Sequence, residues 1–172
     1  MTSHTVPSTA RLSEHEAAVG FTASRQLSEA LQAILVELVE LHLQGKQAHW
    51  NLVGHNFRDL HKQLDHIVDD AREASDTIAE RMRSLHAVPD GRSDTVTATT
   101  TLPKFPEGEQ SVADVVDLIT TRLHAATATM RRLHDGVDAE DPSTADILHS
   151  VIDTLEEHAW MVSAENRQVG RV

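Results

Sequence analysis

The sequence contains no cysteine and no tyrosine, and aromatic residues make up only 3% of it. The lack of cysteine excludes disulfide bonds, thiolate zinc sites and cysteine nucleophiles. No apolar run reaches the roughly 18 residues that a membrane-spanning helix requires. Residues 1–20 also lack the basic and apolar segments of a secretory signal. We therefore expect a cytoplasmic protein.

Basic residues are scarce relative to acidic ones. The chain has 15 Lys and Arg against 27 Asp and Glu, which gives a formal net charge of −12. Nucleic acids and anionic membranes are bound through clusters of Lys and Arg, so this balance argues against both and favours attraction of cations. The 12 histidines, together with the carboxylates, supply ligands for borderline and hard metal ions.

Apolar residues recur at intervals of three and four in four long segments, which predicts four amphipathic helices. Asn56 is the predicted N-cap of the second helix, Gly136 is expected to end the third, and Asp141 with Pro142 should begin the fourth. The predicted helices span residues 22–49 and 57–85, then run from the cap Ser111 to about residue 134 and from the cap Asp141 to about residue 167. We see no alternation typical of a strand.

The link between the second and third helices is long. Residues 89–110 contain Pro103, Pro106 and Gly108, and a link of this length is unusual between adjacent antiparallel helices. It predicts a crossover along the bundle, with room for a short extra helix. The fold class is therefore all-α, a ferritin-like four-helix bundle over residues 22–168. A flexible arm (1–21) precedes it and a short end (169–172) follows; another all-helical topology is the alternative.

The second predicted helix carries two pairs of possible metal ligands, each pair spaced four residues apart. These are His61 with Asp65, and Asp76 with Glu80. On a helical wheel with Leu60 at zero, the apolar stripe stays within about 40°, whereas these four residues fall at roughly 100°, 140°, 160° and 200°. They therefore share the face directed away from the chain's own core.

The two pairs are too far apart to bind one ion within one chain. Their centres lie roughly 22 Å apart along the helix, whereas metal ligands lie about 2.0–2.6 Å from the ion. Two antiparallel copies of the helix, related by a two-fold axis near Asp70 and Ala71, would bring opposite pairs together. His49 at the end of the first helix could complete each site. Two histidines and three carboxylates suit Fe(II) or Mn(II), with zinc as competitor.

Each pair alone is also typical of an ordinary solvated helix face, so a metal-free helical scaffold is an alternative. The intrachain di-iron site of ferritin-like bundles needs Glu-x-x-His pairs on two helices. The sequence contains no Glu-x-x-His, so any such site must be assembled differently.

A long run of residues matches one known family in both type and spacing. The matching positions are Lys46 to Asn51, Gly54, Asn56, Phe57, Leu60, His61, Asp65 and Asp76 to Arg81, with residues 144–148 and Trp160 further on. On these residues the chain resembles the Dps family, or miniferritins, over residues 22–168. It looks closest to the second Dps type of actinobacteria.

The resemblance implies a hollow homododecamer with ferroxidase sites at two-fold dimer interfaces. Each site would take His49, His61 and Asp65 from one chain and Asp76 and Glu80 from its partner, and would hold two irons. The implied reaction is oxidation of Fe(II) to Fe(III), preferably by hydrogen peroxide and otherwise by dioxygen. Ferric mineral would be stored inside the shell, which protects the cell against oxidative damage.

Two further residues gain a role from the resemblance. Trp50 follows His49 directly and would lie near the site as an electron donor that traps radicals; the alternative is a packing residue. Asp146 resembles the acidic residues that line pores through which iron enters; the alternative is a solvated helix start. Asp135, Asp138 and Asp141 are weaker candidates for the same pore.

DNA binding is the feature in which this sequence departs from several family members, which bind DNA through lysine-rich N-terminal tails. Residues 1–20 contain one basic residue, Arg11, against Glu14 and Glu16. We therefore expect weak DNA binding at neutral pH. A nucleoid protein that compacts DNA stands as the second functional hypothesis, after the ferroxidase.

Overall fold

The computed structural model describes residues 20–168, which form a bundle of four long helices with a short helix in the crossover. The elements in chain order are α1 (Arg25–Asn51), β1 (Leu52–Val53), α2 (Phe57–Ser84), α3 (Ser93–Thr99), β2 (Gln110–Ser111), α4 (Val112–Glu140) and α5 (Pro142–Ala164). The predicted bundle, its long crossover and the short extra helix are confirmed. The predicted N-terminal arm and C-terminal end lie almost wholly outside the described residues.

The core lies between two antiparallel hairpins, because α1 packs mainly on α2 and α4 mainly on α5. In α2 the buried face is the apolar stripe that the spacing predicted: Leu60, Leu64, Ile67, Ala71, Ile78 and Met82. Burying each large apolar side chain of this kind contributes about 1.5–3 kcal/mol. The opposite face of α2 is polar and remains uncovered within the chain.

Several predicted helix ends need correction. Helix α1 begins at Arg25 rather than residue 22, because the Ser24 side chain accepts a hydrogen bond from the Leu27 amide and caps it. It continues to Asn51 instead of ending at residue 49, while α2 ends at Ser84 and α5 at Ala164, slightly earlier than predicted.

The predicted end of the third helix before Gly136 was wrong. Helix α4 runs through Gly136 to Glu140. A glycine inside a helix costs only about 1 kcal/mol, and the fully buried Val137 packs the last turns onto the core.

Two predicted N-caps occupy the expected positions without the expected hydrogen bond. Asn56 precedes α2 in the left-handed region, with φ of 62°, and its side chain makes no capping bond. Asp141 precedes α5, but its carboxylate accepts from Arg81 and Thr144 instead.

A short parallel ladder ties the end of α1 to the start of α4. Leu52 pairs with Gln110 and Val53 with Ser111. Each strand has two residues, too few for the period-two pattern by which a strand is recognised in sequence. Because the ladder is parallel, α4 begins at the end of the bundle where α1 ends.

Buried polar side chains fix the crossover on the bundle. Glu37 of α1 is 2% exposed and accepts hydrogen bonds from the Thr101 amide and from the hydroxyls of Thr100 and Thr101 at 2.7–2.9 Å. Gln32, further towards the N-terminus of α1, exchanges two hydrogen bonds with the Asp90 backbone. These contacts satisfy loop amides and carbonyls that would otherwise lack partners.

Arg122 of α4 is 1% exposed and holds the end of the crossover. Its guanidinium donates to the side-chain oxygen of Gln44 and to the carbonyls of Leu118, Pro103 and Lys104. It also lies 5.0 Å from the centre of the Phe105 ring. Burial lowers the pKa of Arg122, although a guanidinium remains charged at neutral pH.

Within residues 20–168, no helix combines the length and the apolar character needed to cross a membrane.

The ion pair between Arg81 and Asp141 should make stability depend on pH. The two side chains are 25% and 11% exposed and lie 2.6 Å apart. Burial alone would raise the pKa of Asp141, but hydrogen bonds from Thr144 and Arg81 outweigh it and the pKa falls below the usual 3.8. A carboxyl with a lowered folded-state pKa stabilises the protein above its unfolded-state pKa, and this contribution disappears as pH falls through the folded-state value.

We therefore expect Asp141→Asn to lower the free energy of unfolding by about 1–3 kcal/mol at pH 7 and by less at pH 3, below the unfolded-state pKa. Urea denaturation at one protein concentration measures both values. Asp94→Asn is the control, because the Asp94 side chain is 76% exposed. An equal loss at both pH values would mean that the carboxylate charge does not contribute.

Candidate metal centre

His49, His61 and Asp65 come together where α1 ends and α2 begins. One ligand atom from each lies within 4.8 Å of the others, and this is the only such group of three among residues 20–168. The helices approach closely here because residue 45 is glycine. A Cβ at Gly45 would lie 2.9 Å from the side chain of Val68, so a larger residue would push α1 away from α2.

Each of the two histidine rings is oriented by the backbone carbonyl of the other residue. Nδ1 of His49 lies 3.0 Å from the His61 carbonyl oxygen, and Nδ1 of His61 lies 3.0 Å from the His49 carbonyl oxygen. The rings stack with centroids 3.6 Å apart. Because a carbonyl can only accept, both Nδ1 atoms carry the hydrogen, which leaves each Nε2 lone pair available to a metal ion.

Lys46 is a neighbour of this group that the sequence prediction did not include among the site residues. Its Nζ donates to Oδ1 of Asp65 at 2.6 Å. This hydrogen bond, with smaller contributions from His49 and His61, holds the pKa of the Asp65 carboxyl below its usual range. Lys46 precedes His49 by three residues, and that spacing on α1 could have identified it.

Asp76 and Glu80 do not join the group within one chain. Both are exposed on α2, and the axial rise of a helix places them roughly 22 Å from the pair formed by His61 and Asp65. Asp76 borders an open groove of about 690 Å³ between α1 and α2, into which His42 also faces. The geometry of one chain therefore supplies three of the five predicted ligands at one place.

The remaining predicted site residues are on the surface. Trp50 is 69% exposed, so its indole does not pack in the core of its own chain. The Asp146 side chain is 87% exposed and lies 3.8 Å from Nδ1 of His149. Of the weaker candidates, Asp135 and Asp138 are exposed, whereas Asp141 is engaged by Arg81.

Comparison with known proteins matches the "Ferritin-like domain" family over residues 28–172. The DNA protection during starvation protein 2 of Deinococcus radiodurans is 33% identical over 86% of this chain, and the match spans only 61% of that relative's length. The DNA protection during starvation protein of Agrobacterium fabrum is 33% identical over 78% of this chain and 83% of its own.

The solved structures include the Dps from Microbacterium arborescens in the high iron form. It is 29% identical, has a TM-score of 0.78, and the alignment covers 85% of this chain and 98% of that one. The chain therefore belongs to the ferritin-like family and, within it, to the Dps proteins. The resemblance seen in residues 46–81 is confirmed, and this family is one of iron storage and protection against stress.

Proposed function

We propose that this protein is a ferroxidase that oxidises Fe(II), preferably with hydrogen peroxide, at di-iron sites shared between two chains. The observation that carries the proposal is the group formed by His49, His61 and Asp65, whose ligand atoms lie within 4.8 Å of one another. Imidazole nitrogens and a carboxylate suit iron. Three ligands from one chain leave coordination positions for a partner and for the oxidant.

The partner subunit would contribute Asp76 and Glu80. Both belong to the polar face of α2 that its own chain leaves uncovered, and an antiparallel copy across a two-fold axis places them beside His61 and Asp65. Large apolar side chains near this group support an interface here, since exposed apolar patches commonly mark contact surfaces. These are Leu43, Trp50, Val53 and Phe57, each 43–69% exposed.

In the proposed reaction two Fe(II) ions are the substrates and each gives one electron to the same hydrogen peroxide. The O–O bond breaks, two protons are taken up, and two waters and two Fe(III) result, so no hydroxyl radical is released. The Nε2 atoms of His49 and His61 would hold Fe(II), and the carboxylates would stabilise the third positive charge. Lys46 donates to Oδ1 of Asp65, which leaves the other carboxylate oxygen for iron, and Trp50 would supply an electron to any radical that forms.

The larger assembly belongs to the same proposal. We infer a hollow homododecamer in the cytoplasm that stores ferric mineral, with Asp146 lining a pore through which Fe(II) enters. Twelve chains with a formal net charge of −12 each carry on the order of −140 charges, which attract Fe(II) and repel DNA phosphates. DNA compaction is therefore the less favoured function for this chain.

Stopped-flow measurement of Fe(II) oxidation by hydrogen peroxide tests the proposal. The wild type should consume two Fe(II) per peroxide. His61→Ala/Asp65→Ala should slow the reaction by about 100-fold or more, because even residues that only support metal ligands contribute 10–100-fold. Loss of activity together with loss of iron binding would support the site.

A matched control is available in the turn before this helix and in its first turn. His55 and Asp59 have the same residue types at the same spacing and are exposed, but they lie outside the group. His55→Ala/Asp59→Ala should leave the rate unchanged. If both double variants behave like the wild type, the ligand face is ordinary surface, and the metal-free scaffold becomes the better description.

A further inference from the structure

A second stacked histidine pair lies in the other helical hairpin. His134 near the end of α4 and His149 in α5 have ring centroids 4.5 Å apart and planes inclined by 25°. The pair formed by His49 and His61 has nearly the same inclination, 26°, and the same position where one helix ends and the next begins. Each hairpin of the bundle therefore carries one stacked pair at its turn.

The two pairs lie at opposite ends of the bundle. The parallel ladder places the start of α4 beside the end of α1, and His134 follows the first residue of α4 by 22 positions, or roughly 33 Å of helix. At the far end of α4, Glu140 accepts hydrogen bonds from Ser24 just before α1. A ligand bound at the second pair is therefore separate from the proposed di-iron site.

The ring of His134 is poised as a metal ligand. Its Nδ1 lies 3.4 Å from Oδ1 of Asp135, and a carboxylate can only accept, so Nδ1 carries the hydrogen. The lone pair is then on Nε2, which is buried and has no hydrogen-bond partner in the described part of the chain. Metal-binding histidines are commonly oriented in this way: a carboxylate accepts a hydrogen bond from one ring nitrogen, and the lone pair of the other nitrogen faces the metal.

His149 also has a carboxylate near Nδ1. Oδ1 of Asp146 lies 3.8 Å from this nitrogen, which is too long for a hydrogen bond, but the negative charge favours a hydrogen on Nδ1 and so leaves Nε2 for a ligand. Asp153 lies one turn later on α5 and lines the same cleft, which has a volume of about 340 Å³. Arg131 also lines this cleft, but its positive charge is paired with Glu156 through hydrogen bonds of 2.6 and 2.7 Å, so it does not prevent a metal ion from binding.

We propose that this cleft binds one divalent transition-metal ion per chain through Nε2 of His134, Nε2 of His149 and the Asp153 carboxylate. The three ligand atoms do not all lie within 4.8 Å of one another in this structure, so the exposed His149 and Asp153 side chains must turn towards His134 when the ion binds. Two ring nitrogens that share a tetrahedral ion at about 2.0–2.1 Å are roughly 3.4 Å apart. The ring centroids are 4.5 Å apart, so the two side chains are within reach of one ion, and the stacked rings must rotate for their Nε2 atoms to converge on it. Two imidazoles and one carboxylate select ions of borderline hardness, such as Zn(II), Co(II) and Fe(II).

Metal binding by assembled, full-length protein tests the site without depending on ferroxidase activity. His61→Ala/Asp65→Ala serves as the background, so that the proposed di-iron site does not contribute. Equilibrium dialysis against Zn(II) with a competing chelator should find one tight ion per chain. Bound Co(II) should show the visible absorption of a four- or five-coordinate ion.

Adding His149→Gln to that background should remove the tight Zn(II) and the Co(II) absorption, with binding weakened by at least about tenfold. The His149 side chain is 62% exposed, so its replacement leaves the core intact, and thermal denaturation checks this. His55→Gln, at an exposed position, should change nothing. His134→Gln provides a second, independent variant.

Tight Zn(II) binding that survives both His149→Gln and His134→Gln would overturn the proposal, as would its absence from the background protein. Either result would leave the ferroxidase proposal untouched, because that proposal is measured by peroxide-driven oxidation in protein with an intact His61 and Asp65.

Discussion

Two inactive variants, mixed in equal amounts and assembled together, are expected to regain about one quarter of the wild-type Fe(II) oxidation rate. One variant is His61→Ala/Asp65→Ala and the other is Asp76→Ala/Glu80→Ala. Asp76→Ala/Glu80→Ala alone should oxidise Fe(II) as slowly as His61→Ala/Asp65→Ala alone. The rate is measured by stopped flow with hydrogen peroxide, after the chains are unfolded together and refolded or co-expressed.

The expected fraction follows from a two-fold interface. In a dimer of one chain of each kind, one site combines both damaged halves, whereas the other combines the intact His61 and Asp65 of one chain with the intact Asp76 and Glu80 of its partner. Random pairing makes about half of the dimers mixed, and half of their sites are intact. Ligands that all came from one chain would give no recovery.

In a control mixture, the substitutions of both variants affect the half of the site that contains His61 and Asp65. His49→Ala chains mixed with His61→Ala/Asp65→Ala chains should show no recovery, because each site of a mixed dimer lacks a ligand on the same side. Recovery in this mixture would contradict the assignment of His49 to the same half as His61. No recovery in the first mixture, with assembly intact, would exclude a shared site.

The parts of the structure that depend on the spacing of apolar residues could be predicted from the sequence. The stripe from Leu60 to Met82 predicted both the helix and its buried face, and the wheel placed His61 and Asp65 on the opposite face. Residues 89–110 were predicted to cross the bundle from their length alone. The helix and its two faces are local features that the helical repeat determines, and the crossover follows from the length of the link.

Features that depend on contacts between distant segments could not be predicted. Gly136 was expected to end α4, but packing of Val137 on the core outweighs the small cost of a helical glycine. Asp141 had the sequence of a helix cap, yet it pairs with Arg81, 60 residues earlier. The stacking of His134 on His149 likewise depends on how α4 and α5 pack, which residue spacing does not reveal.

Replacement of Arg122 should have the largest effect on stability. Arg122→Met keeps much of the side-chain volume but leaves the Gln44 side-chain oxygen and the Lys104 carbonyl without the donor that Arg122 supplies, while the Pro103 carbonyl keeps only its hydrogen bond from Gln44. Each buried polar group left without a partner costs about 1–3 kcal/mol. We expect the free energy of unfolding to fall by about 3–5 kcal/mol, a large share of the 5–15 kcal/mol typical of a domain.

Urea denaturation of Arg122→Met and Arg131→Met measures the difference between a buried and an exposed arginine on the same helix. Arg131 is 60% exposed and paired with Glu156, and a surface ion pair of this kind contributes about 0–1 kcal/mol. Similar losses in the two variants would mean that the crossover does not depend on Arg122. A much larger loss in Arg122→Met would establish that one buried guanidinium fixes residues 103–105, and with them the ladder that joins β2 to β1 beside His49.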